Sequence, residues 1–528
     1  MAPARREAFP RRISAVLMAA LTVLATSGVF LGVLLFAPAG SHVHAANARQ
    51  PATVVFLLLD EFPVIDLENE RGEIDSRRFP NFARLARSSI WFRNTTTLSA
   101  NTDFAVPAIL TGNPPNFGAL PTARNYPNNL FTLLGPSYRM VVYETQTKLC
   151  PERICKPPQR DAAMRVGGTL PKLDKHTFWR HRIRHFDRWL GAVRPDKGRP
   201  TLYFMHSLFP HSPWVFLPDG RLRALTYTRT PGRSGDRWSN AQLAIQAWQR
   251  HLLQTGFTDR LLGAVIKRLH KTGLWNRALI VVTADHGISF RGGDLRRRPS
   301  STNLAELAFT PLFVKLPGRQ QGRVINRHVV TVDILPTIAD ALGIAIPWKT
   351  EGGSALRGGE GSPVVTVNAF SAPYPVELAQ RRASRDRQLG LFGSGTWGPQ
   401  FAGTGDYRTL VGEPVEALVA GGHVAGDAKI DRIGSALLHS FPRRSRLIPS
   451  PLVGDLAAVQ PGTQLALALN GRIAAVTEAY RDAGGPIRFS ALAGESAFAA
   501  GRNRARMFAV SGPASRPVLH ELRLVLSR

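Results

Sequence analysis

Two apolar runs in the chain end directly in groups that bind cations, and they constrain the fold more than any other feature. Thr53–Leu59 (TVVFLLL) leads into Asp60–Glu61, and Ala278–Thr283 (ALIVVT) leads, after one alanine, into Asp285–His286. Such β-branched and aliphatic runs are typical of strands buried on both faces of a parallel sheet. Ligands of open α/β sheets bind at the carboxyl ends of the strands. Each pair alone is explained by a solvated strand end, but together they predict a cation site, because carboxylate and imidazole groups suit a divalent metal.

Strand-like and helix-like segments alternate over residues 52–350. Further strands are predicted near 90–92, 140–143, 202–205 and 312–316, and helices near 82–88, 106–110, 242–271 and 331–342. Pro107 is expected in the first turn of its helix, where proline is favoured. This alternation predicts an α/β domain with a mixed, mostly parallel sheet sandwiched by helices.

The pattern changes after residue 350. Residues 351–405 are rich in glycine and arginine and are predicted to be an irregular linker. Residues 406–528 contain short alternating segments, which predict a small, β-rich and antiparallel C-terminal domain. Within it, Asn470–Gly471 is typical of a type I′ hairpin turn.

The amino terminus predicts export. Residues 1–12 form a basic tail with four arginines, and Ile13–Ala39 contains no charged residue. A run of this length can span a bilayer, and the basic flank favours a cytoplasmic position for the tail. We therefore expect a single-pass protein of the inner (cytoplasmic) membrane with its catalytic domain outside the cytoplasm. A cleaved signal sequence is the alternative, and it also exports the chain.

The chain is strongly basic, with a formal net charge of +30. This charge favours anionic partners such as envelope lipids or glycans, although a coding bias toward arginine explains it equally well. Nucleic acid is not expected as a partner, because no recognised binding motif accompanies the charge.

The only two cysteines, Cys150 and Cys155, lie five positions apart. In an exported protein such a pair favours a disulfide. A metal site is the weaker alternative, because two thiolates do not complete a tetrahedral shell.

An ordered set of motifs resembles the sulfatase branch of the alkaline phosphatase superfamily. The motifs are LLLDE, NTDFAVPAILTG, HSLFPHSPW, VVTADHG, PLFVKLPG and VDILPTIADALG, and they cover about residues 52–345. Within that branch, the chain is most similar to membrane-anchored bacterial sulfatase-like proteins. The resemblance implies an enzyme that acts on phosphoric or sulfuric ester bonds.

The resemblance assigns roles to individual residues. The nucleophile position, nine residues before Thr111, holds Thr102. A weak hydroxyl nucleophile of this kind needs activation by a metal or a base. A purely structural alternative for Thr102 is that its side chain caps the amino terminus of the following helix. The implied metal ligands are Asp60, Glu61, Thr102, Asp285 and His286, and they would hold one divalent ion: manganese, zinc, calcium or magnesium.

Two histidines lie on the HSLFPHSPW loop. His211 matches the histidine that contacts the ester in relatives, and it would be catalytic as well as substrate-binding. His206 is a second substrate-binding candidate, although a purely structural role suits it better. The loop lacks the extra aspartate and histidine of two-metal relatives, so one metal is inferred.

The chain also departs from true sulfatases. Their nucleophile is a cysteine or serine that is oxidised to an aldehyde hydrate, and Thr102 cannot form that group. Thr145 and Thr147 stand where relatives carry a lysine and a histidine. These departures favour phosphoryl over sulfuryl chemistry, through a covalent Thr102 intermediate, on envelope lipids or glycans. The alternatives are a true sulfuric ester hydrolase, or a non-catalytic protein of this fold that binds anionic envelope polymers.

Overall fold

A computed structural model describes residues 52–155, 175–195, 198–223, 232–358, 364–369, 372–401, 405–442, 447–448, 450–481 and 485–527. The predicted membrane segment, Ile13–Ala39, lies outside these residues. Among the helices that are described, none is both long and apolar enough to cross a bilayer. Export and anchoring therefore stay predictions.

Eight strands form the central sheet. They are β1 (Val54–Asp60), β2 (Ile90–Thr96), β3 (Arg139–Tyr143), β4 (Thr201–Pro210), β5 (Leu279–Ala284), β6 (Phe309–Thr310), β7 (Leu312–Lys315) and β8 (Arg323–Val330). Their order is β8-β2-β7-β5-β1-β4-β3, with β6 beside β2. β1 lies at the centre and pairs in parallel with β4 and β5, whereas β7 is antiparallel to both of its neighbours. The predicted mixed, mostly parallel sheet is confirmed.

Helices cover both faces of this sheet. The helices of the described residues are α1 (Pro80–Ala86), α2 (Thr102–Thr111), α3 (Leu130–Leu134), α4 (Lys175–Ala192), α5 (Ala241–Lys271), α6 (Leu304–Ala308), α7 (Ile334–Leu342), α8 (Leu378–Phe392) and α9 (Arg432–His439). On one face, Leu57 belongs to a core that includes Phe82 of α1 and Trp248 of α5. On the other face, Phe204 packs edge-on against both Phe56 and Phe131 of α3. The double cover explains why the β1 sequence is apolar throughout.

Two predicted elements were wrong in detail. α2 begins at Thr102 rather than at Val106, so Pro107 lies inside the helix and not in its first turn. The segment 351–405 is not irregular throughout, because it contains the β-hairpin Val364–Ala369 with Ala372–Glu377 as well as α8. Arginine and glycine in α8 hid its helical character, since its buried face carries polar residues such as Arg381 and Gln388.

A second eight-stranded sheet forms the C-terminal part. Its strands are β9 (Val419–Ile430), β10 (Leu452–Ala457), β11 (Gln464–Leu469), β12 (Arg472–Glu478), β13 (Tyr480–Arg481), β14 (Ile487–Ala491), β15 (Ala505–Ser511) and β16 (Val518–Leu526). Its β-rich character is confirmed, although β9 and β16 pair in parallel. Asn470 and Gly471 have φ values of 52° and 86° in the turn between β11 and β12, as a type I′ turn requires. Gln246 of α5 joins this sheet to the core by donating to Thr477 Oγ1 at 3.0 Å.

Candidate active site

Three strand ends bring together the side chains that could hold a cation. Asp60 is the last residue of β1, His206 lies beside Leu58 on β4, and Asp285 follows β5. One ligand atom from each of the three lies within 4.8 Å of the others, and all three residues are fully buried. The sequence therefore placed Asp60 and Asp285 correctly at one edge, but it did not predict His206 as a neighbour of both carboxylates.

Thr102 and His286 complete this cluster. Thr102 Oγ1 lies 3.3 Å from His286 Nε2, which is also 3.5 Å from Asp285 Oδ2. His286 Nδ1 lies 2.8 Å from the Gly287 carbonyl oxygen, so Nδ1 donates there and Nε2 presents a lone pair to the cluster. The N-cap of α2 is Asn101 and not Thr102. The N-cap explanation for Thr102 was therefore wrong, and its hydroxyl is directed into the site.

The chemistry of these donors fits a divalent cation. Both carboxylate oxygens of Asp60, Oδ2 of Asp285 and Nε2 of His206 are buried without a hydrogen-bond partner. Burial, followed by the nearby Asp285 charge, raises the pKa of Asp60 well above its usual value. Burial likewise raises the pKa of Asp285 to about 7, although the amides of Glu61 and His286 donate to its Oδ1. A bound cation would satisfy these orphaned lone pairs and restore both carboxylates to their charged form.

Glu61 occupies a strained turn directly after β1. Its φ is 63°, which is unusual for a residue other than glycine. Three hydrogen bonds hold the turn: Glu61 N donates to Asp285 Oδ1, Phe62 N donates to the His286 carbonyl, and His251 Nε2 donates to the Glu61 carbonyl. The strain is maintained beside the cluster and fixes the direction of the Glu61 side chain.

That side chain binds two arginines rather than joining the carboxylates of the cluster. Glu61 Oε1 accepts from Arg296 Nη1 at 2.5 Å and from Arg297 Nε at 2.8 Å. Burial alone would raise the pKa of Glu61, but the two guanidinium groups outweigh it and hold the pKa well below its usual value. The geometry therefore makes Glu61 an arginine partner through Oε1, whereas Oε2 is buried without a hydrogen-bond partner, so the role of Glu61 as a metal ligand stays a prediction.

His211 lies on a loop that two helices hold in place. Gln254 of α5 donates to the carbonyls of Pro210 and His211 and accepts from the amide of Val215. Arg182 of α4 also donates to the His211 carbonyl, at 2.9 Å. His211 Nδ1 lies 2.6 Å from the Ser212 carbonyl oxygen, and Nε2 lies 3.9 Å from Glu61 Oε2. Burial lowers the pKa of His211 to about 3, so its neutral ring presents an acceptor nitrogen to the site.

The segment after β3 supports His206. Thr145 Oγ1 lies 2.9 Å from His206 Nδ1, and Thr147 Oγ1 donates to Glu144. Glu144 also accepts from the amide of Cys150, which forms a disulfide with Cys155. Thr145 therefore contacts the site indirectly, as a partner of His206.

Sequence reasoning missed three arginines of the site. Arg296 and Arg297 belong to the run DLRRRP, eleven and twelve positions after Asp285, and that proximity was the available signal. Arg182 lies in a long basic segment in which no feature distinguishes it from its neighbours.

Comparison with known proteins agrees with this geometry. The family model "Sulfatase" matches residues 52–344, which is more than half of the chain. The chain belongs to the sulfatase family. The family match confirms the resemblance stated from the motifs, and it ends close to the predicted boundary of the motif-bearing region.

Individual members of the sulfatase family align over short stretches. An ulvan-active sulfatase from Formosa agariphila is 31% identical over 97 residues, which is 18% of this chain and 19% of that protein. An endo-4-O-sulfatase from Bacteroides thetaiotaomicron is 27% identical over 171 residues, 31% of this chain and 33% of that protein. The match thus spans a third or less of these two relatives. Among solved structures, a phosphonate monoester hydrolase from Agrobacterium radiobacter aligns with a TM-score of 0.42 at 17% identity, over 60% of this chain and 79% of the other.

Proposed function

We propose that this protein is a metal-dependent hydrolase or transferase of phosphate or sulfate esters that works through a covalent Thr102 intermediate. One observation carries the proposal. The Thr102 hydroxyl lies 3.3 Å from His286 Nε2, beside carboxylate oxygens of Asp60 and Asp285 that have no partner in the described residues. A divalent cation held by Asp60, Asp285, His206 and His286 would lower the pKa of the hydroxyl and offset negative charge on the ester.

The first step forms the bond between Thr102 Oγ1 and the phosphorus or sulfur atom. The ester bond breaks, and the leaving oxygen departs with the bonding electron pair and takes a proton from solvent. The hydroxyl proton of Thr102 passes to solvent, because the bound cation would lower its pKa. Thr102 is the first residue of α2, whose amino-terminal dipole favours the negative charge of the ester.

The second step releases the group from Thr102. In its neutral form, His211 presents the acceptor Nε2 to the site, because Nδ1 faces the Ser212 carbonyl. The oxygen of water or of an acceptor alcohol bonds to the phosphorus or sulfur atom, the bond to Thr102 Oγ1 breaks, and Thr102 Oγ1 takes up the proton that the incoming group releases. We assign His211 Nε2 the role of a hydrogen-bond acceptor that orients the incoming group. Arg297, anchored by Glu61, supplies positive charge near the same group.

Threonine at the nucleophile position favours phosphoryl transfer. A threonine cannot become the aldehyde hydrate of true sulfatases, whereas its hydroxyl can attack phosphorus directly. A true sulfuric ester hydrolase is the second candidate, and the sulfatases among the curated relatives favour it. Their names also support anionic glycans as the substrate class.

Export belongs to the same proposal. The uncharged run Ile13–Ala39 with its basic flank supports a tether in the inner membrane, with the catalytic part outside the cytoplasm. This location matches esters on envelope lipids or glycans.

The proposal is tested with the full chain and four substrate classes. Aryl phosphodiesters, phosphomonoesters, phosphonate monoesters and sulfate esters are assayed with added Mn²⁺, Zn²⁺, Ca²⁺ or Mg²⁺. We expect phosphorus esters to react faster, Thr102→Ser to keep turnover, and Thr102→Ala to lose about 10³-fold or more in kcat. Faster cleavage of sulfate esters would reject the phosphoryl assignment, and full turnover by Thr102→Ala would reject the nucleophile. Binding of anionic glycans without turnover of any ester would favour the non-catalytic alternative.

A further inference from the structure

The candidate active site lies where the parallel strands end. The parallel strands begin at the opposite side of the central sheet, which is called an edge here. Val54 of β1 pairs with Leu202 of β4 and Leu279 of β5 at this edge. Arg139 of β3 pairs with Thr201, and Lys315 of β7 lies beside Ile280. The cluster around Asp60 lies at the other ends of the same strands, so the two edges are separated by the length of β1. Seven residues of strand span roughly 23 Å.

Loops and helix ends continue this edge. Arg268, near the end of α5, donates to the carbonyls of Gly191 and Val193 after α4. The amide of Gly318 donates to the Asn276 carbonyl, which joins the loop after β7 to the loop before β5. The segments that meet here, which we call the basic edge, are residues 84–90, 136–141, 188–195, 198–203, 261–280 and 315–325.

The basic edge is strongly basic. Its segments contain thirteen Lys and Arg residues, nine of them exposed, and no Asp or Glu, although the exposed Asp187 directly precedes Arg188 and Asp196 follows Pro195 in the sequence. The thirteen are Arg84, Arg87, Arg139, Arg188, Arg194, Arg199, Lys267, Arg268, Lys271, Arg277, Lys315, Arg319 and Arg323.

Local hydrogen bonds to uncharged carbonyl groups orient three of these cations. Arg199 donates to the carbonyl of Ser137, Arg277 to Gly273 and Arg319 to Gln321. Main-chain carbonyls carry no net charge, so the guanidinium groups keep their full positive charge. Cations in the last turn of α5 also stabilise that helix end, but such a role requires only one turn of residues. The remaining cations lie on other elements and need a different explanation.

The chain enters the described structure at this same edge. The Tyr138 hydroxyl donates to the carbonyl of Ala52 at 3.0 Å, beside the start of β1. The residues before Ala52 include the uncharged run Ile13–Ala39, the membrane tether of the proposed function. We propose that the basic edge docks on the surface of a bilayer that carries anionic lipid headgroups. A basic surface is suited to such headgroups, because anionic lipids attract Lys and Arg side chains near the bilayer surface.

This orientation narrows the substrate class. With the basic edge on the bilayer, the Asp60 cluster stands roughly 20 Å from the headgroups, from the strand length given above. The site then faces away from the lipids of that bilayer. Esters on glycans or on soluble molecules reach it, whereas headgroup esters of the same leaflet do not. This consequence rests on the proposed catalytic function, and the docking rests on the proposed membrane tether.

A matched pair of labels tests the docking on the full chain. Because the two native cysteines are joined, a single added cysteine can be labelled selectively. Asn276→Cys places a fluorophore on the basic edge just before β5, and Ser301→Cys places it in the loop that follows β5; both positions are exposed and uncharged. Preformed vesicles carry a nitroxide quencher on their headgroups. They contain phosphatidylcholine alone or roughly one third phosphatidylglycerol.

The expected result is quenching at Asn276→Cys, but not at Ser301→Cys, by the anionic vesicles only, with loss in about 0.5 M NaCl. A triple reversal of Lys267, Lys271 and Arg277 to glutamate should raise the half-maximal lipid concentration at least tenfold, because it replaces three cations near the headgroups by anions. Reversal of three exposed arginines of the C-terminal sheet, Arg472, Arg502 and Arg504, changes net charge equally and should have little effect.

Several results would overturn the proposal. Equal quenching of both labels, quenching by uncharged vesicles to the same extent, or equal effects of the two triple variants would each reject it. Protection of the Asn276→Cys label from iodide by polyglutamate, without quenching by anionic vesicles, would assign the edge to a soluble polyanion instead. Failure of the proposed catalysis would leave all of these readouts unchanged, because they measure contact with vesicles and not turnover.

Discussion

Replacement of Glu61 by glutamine distinguishes the arginine partner found in the structure from the metal ligand expected from the family. The Glu61 carboxylate is fully buried and contacts Arg296 at 2.5 Å and Arg297 at 2.8 Å. Their side chains are only 10% and 15% exposed, so water screens the pair weakly. Removal of one partner from a buried ion pair costs about 3–5 kcal/mol. Glutamine keeps one acceptor oxygen, so the lower end of that range is expected.

Urea unfolding of the full chain at neutral pH measures this loss. We expect Glu61→Gln to lower the free energy of unfolding by about 3 kcal/mol. Asp340→Asn breaks an ion pair with the exposed Arg357 and should produce no resolvable change. An unchanged free energy of unfolding in Glu61→Gln would refute the arginine partnership.

Calorimetric titration of the same variants with Mn²⁺ measures the metal site separately. Glu61→Gln should bind the cation close to wild type, whereas Asp285→Asn should weaken binding by about 100-fold or more. Equal weakening in the two variants would restore Glu61 to the ligand set. If Glu61→Gln kept the wild-type free energy of unfolding but bound no Mn²⁺, Glu61 would be a metal ligand and not an arginine partner.

Three further changes have defined outcomes. Gln254→Leu removes the side chain that holds the His211 loop; it should cost about 2–4 kcal/mol in urea unfolding and lower kcat, and an unchanged kcat would contradict the positioning role. Burial raises the pKa of Asp259 to about 6, above its unfolded value, so its contribution to stability falls as pH rises from about 4 to 6. Asp259→Asn should remove roughly 3 kcal/mol of that fall, and an identical pH profile of unfolding would contradict it. Replacement of Cys150 and Cys155 by alanine opens a loop with a sequence separation of 5, which should cost about 2 kcal/mol; larger loss of activity than of stability would indicate a role in the site.

The framework of the site was predictable because strand periodicity and strand ends are local properties. The apolar run before Asp60 and the run before Asp285 each require a buried strand, and parallel strands align their carboxyl ends at one edge. The resemblance to the sulfatase branch, and not the local pattern, located Thr102. The start of α2 was misjudged because Pro107 suggested a first turn, although the helix accommodates it in its interior.

The partners of Glu61 were not predictable from local pattern. Arg296 and Arg297 lie more than 230 positions away along the chain, and only the folded loop after β5 brings them to the end of β1. His206 was underestimated for a similar reason. Its proximity to the carboxylates depends on the register of β4 beside β1, which aligns it with Leu58, and the strand sequence does not encode that register.

Trapping of the covalent intermediate tests the central claim most directly. The full chain with Mn²⁺ is mixed with an activated aryl phosphodiester, quenched in acid within one turnover, and digested for mass spectrometry. The account predicts a phosphorylated peptide with the group on Thr102, present in wild type and on serine in Thr102→Ser, and absent from Thr102→Ala. Turnover with an unmodified Thr102 at every quench time, or with the group on another residue, would contradict it.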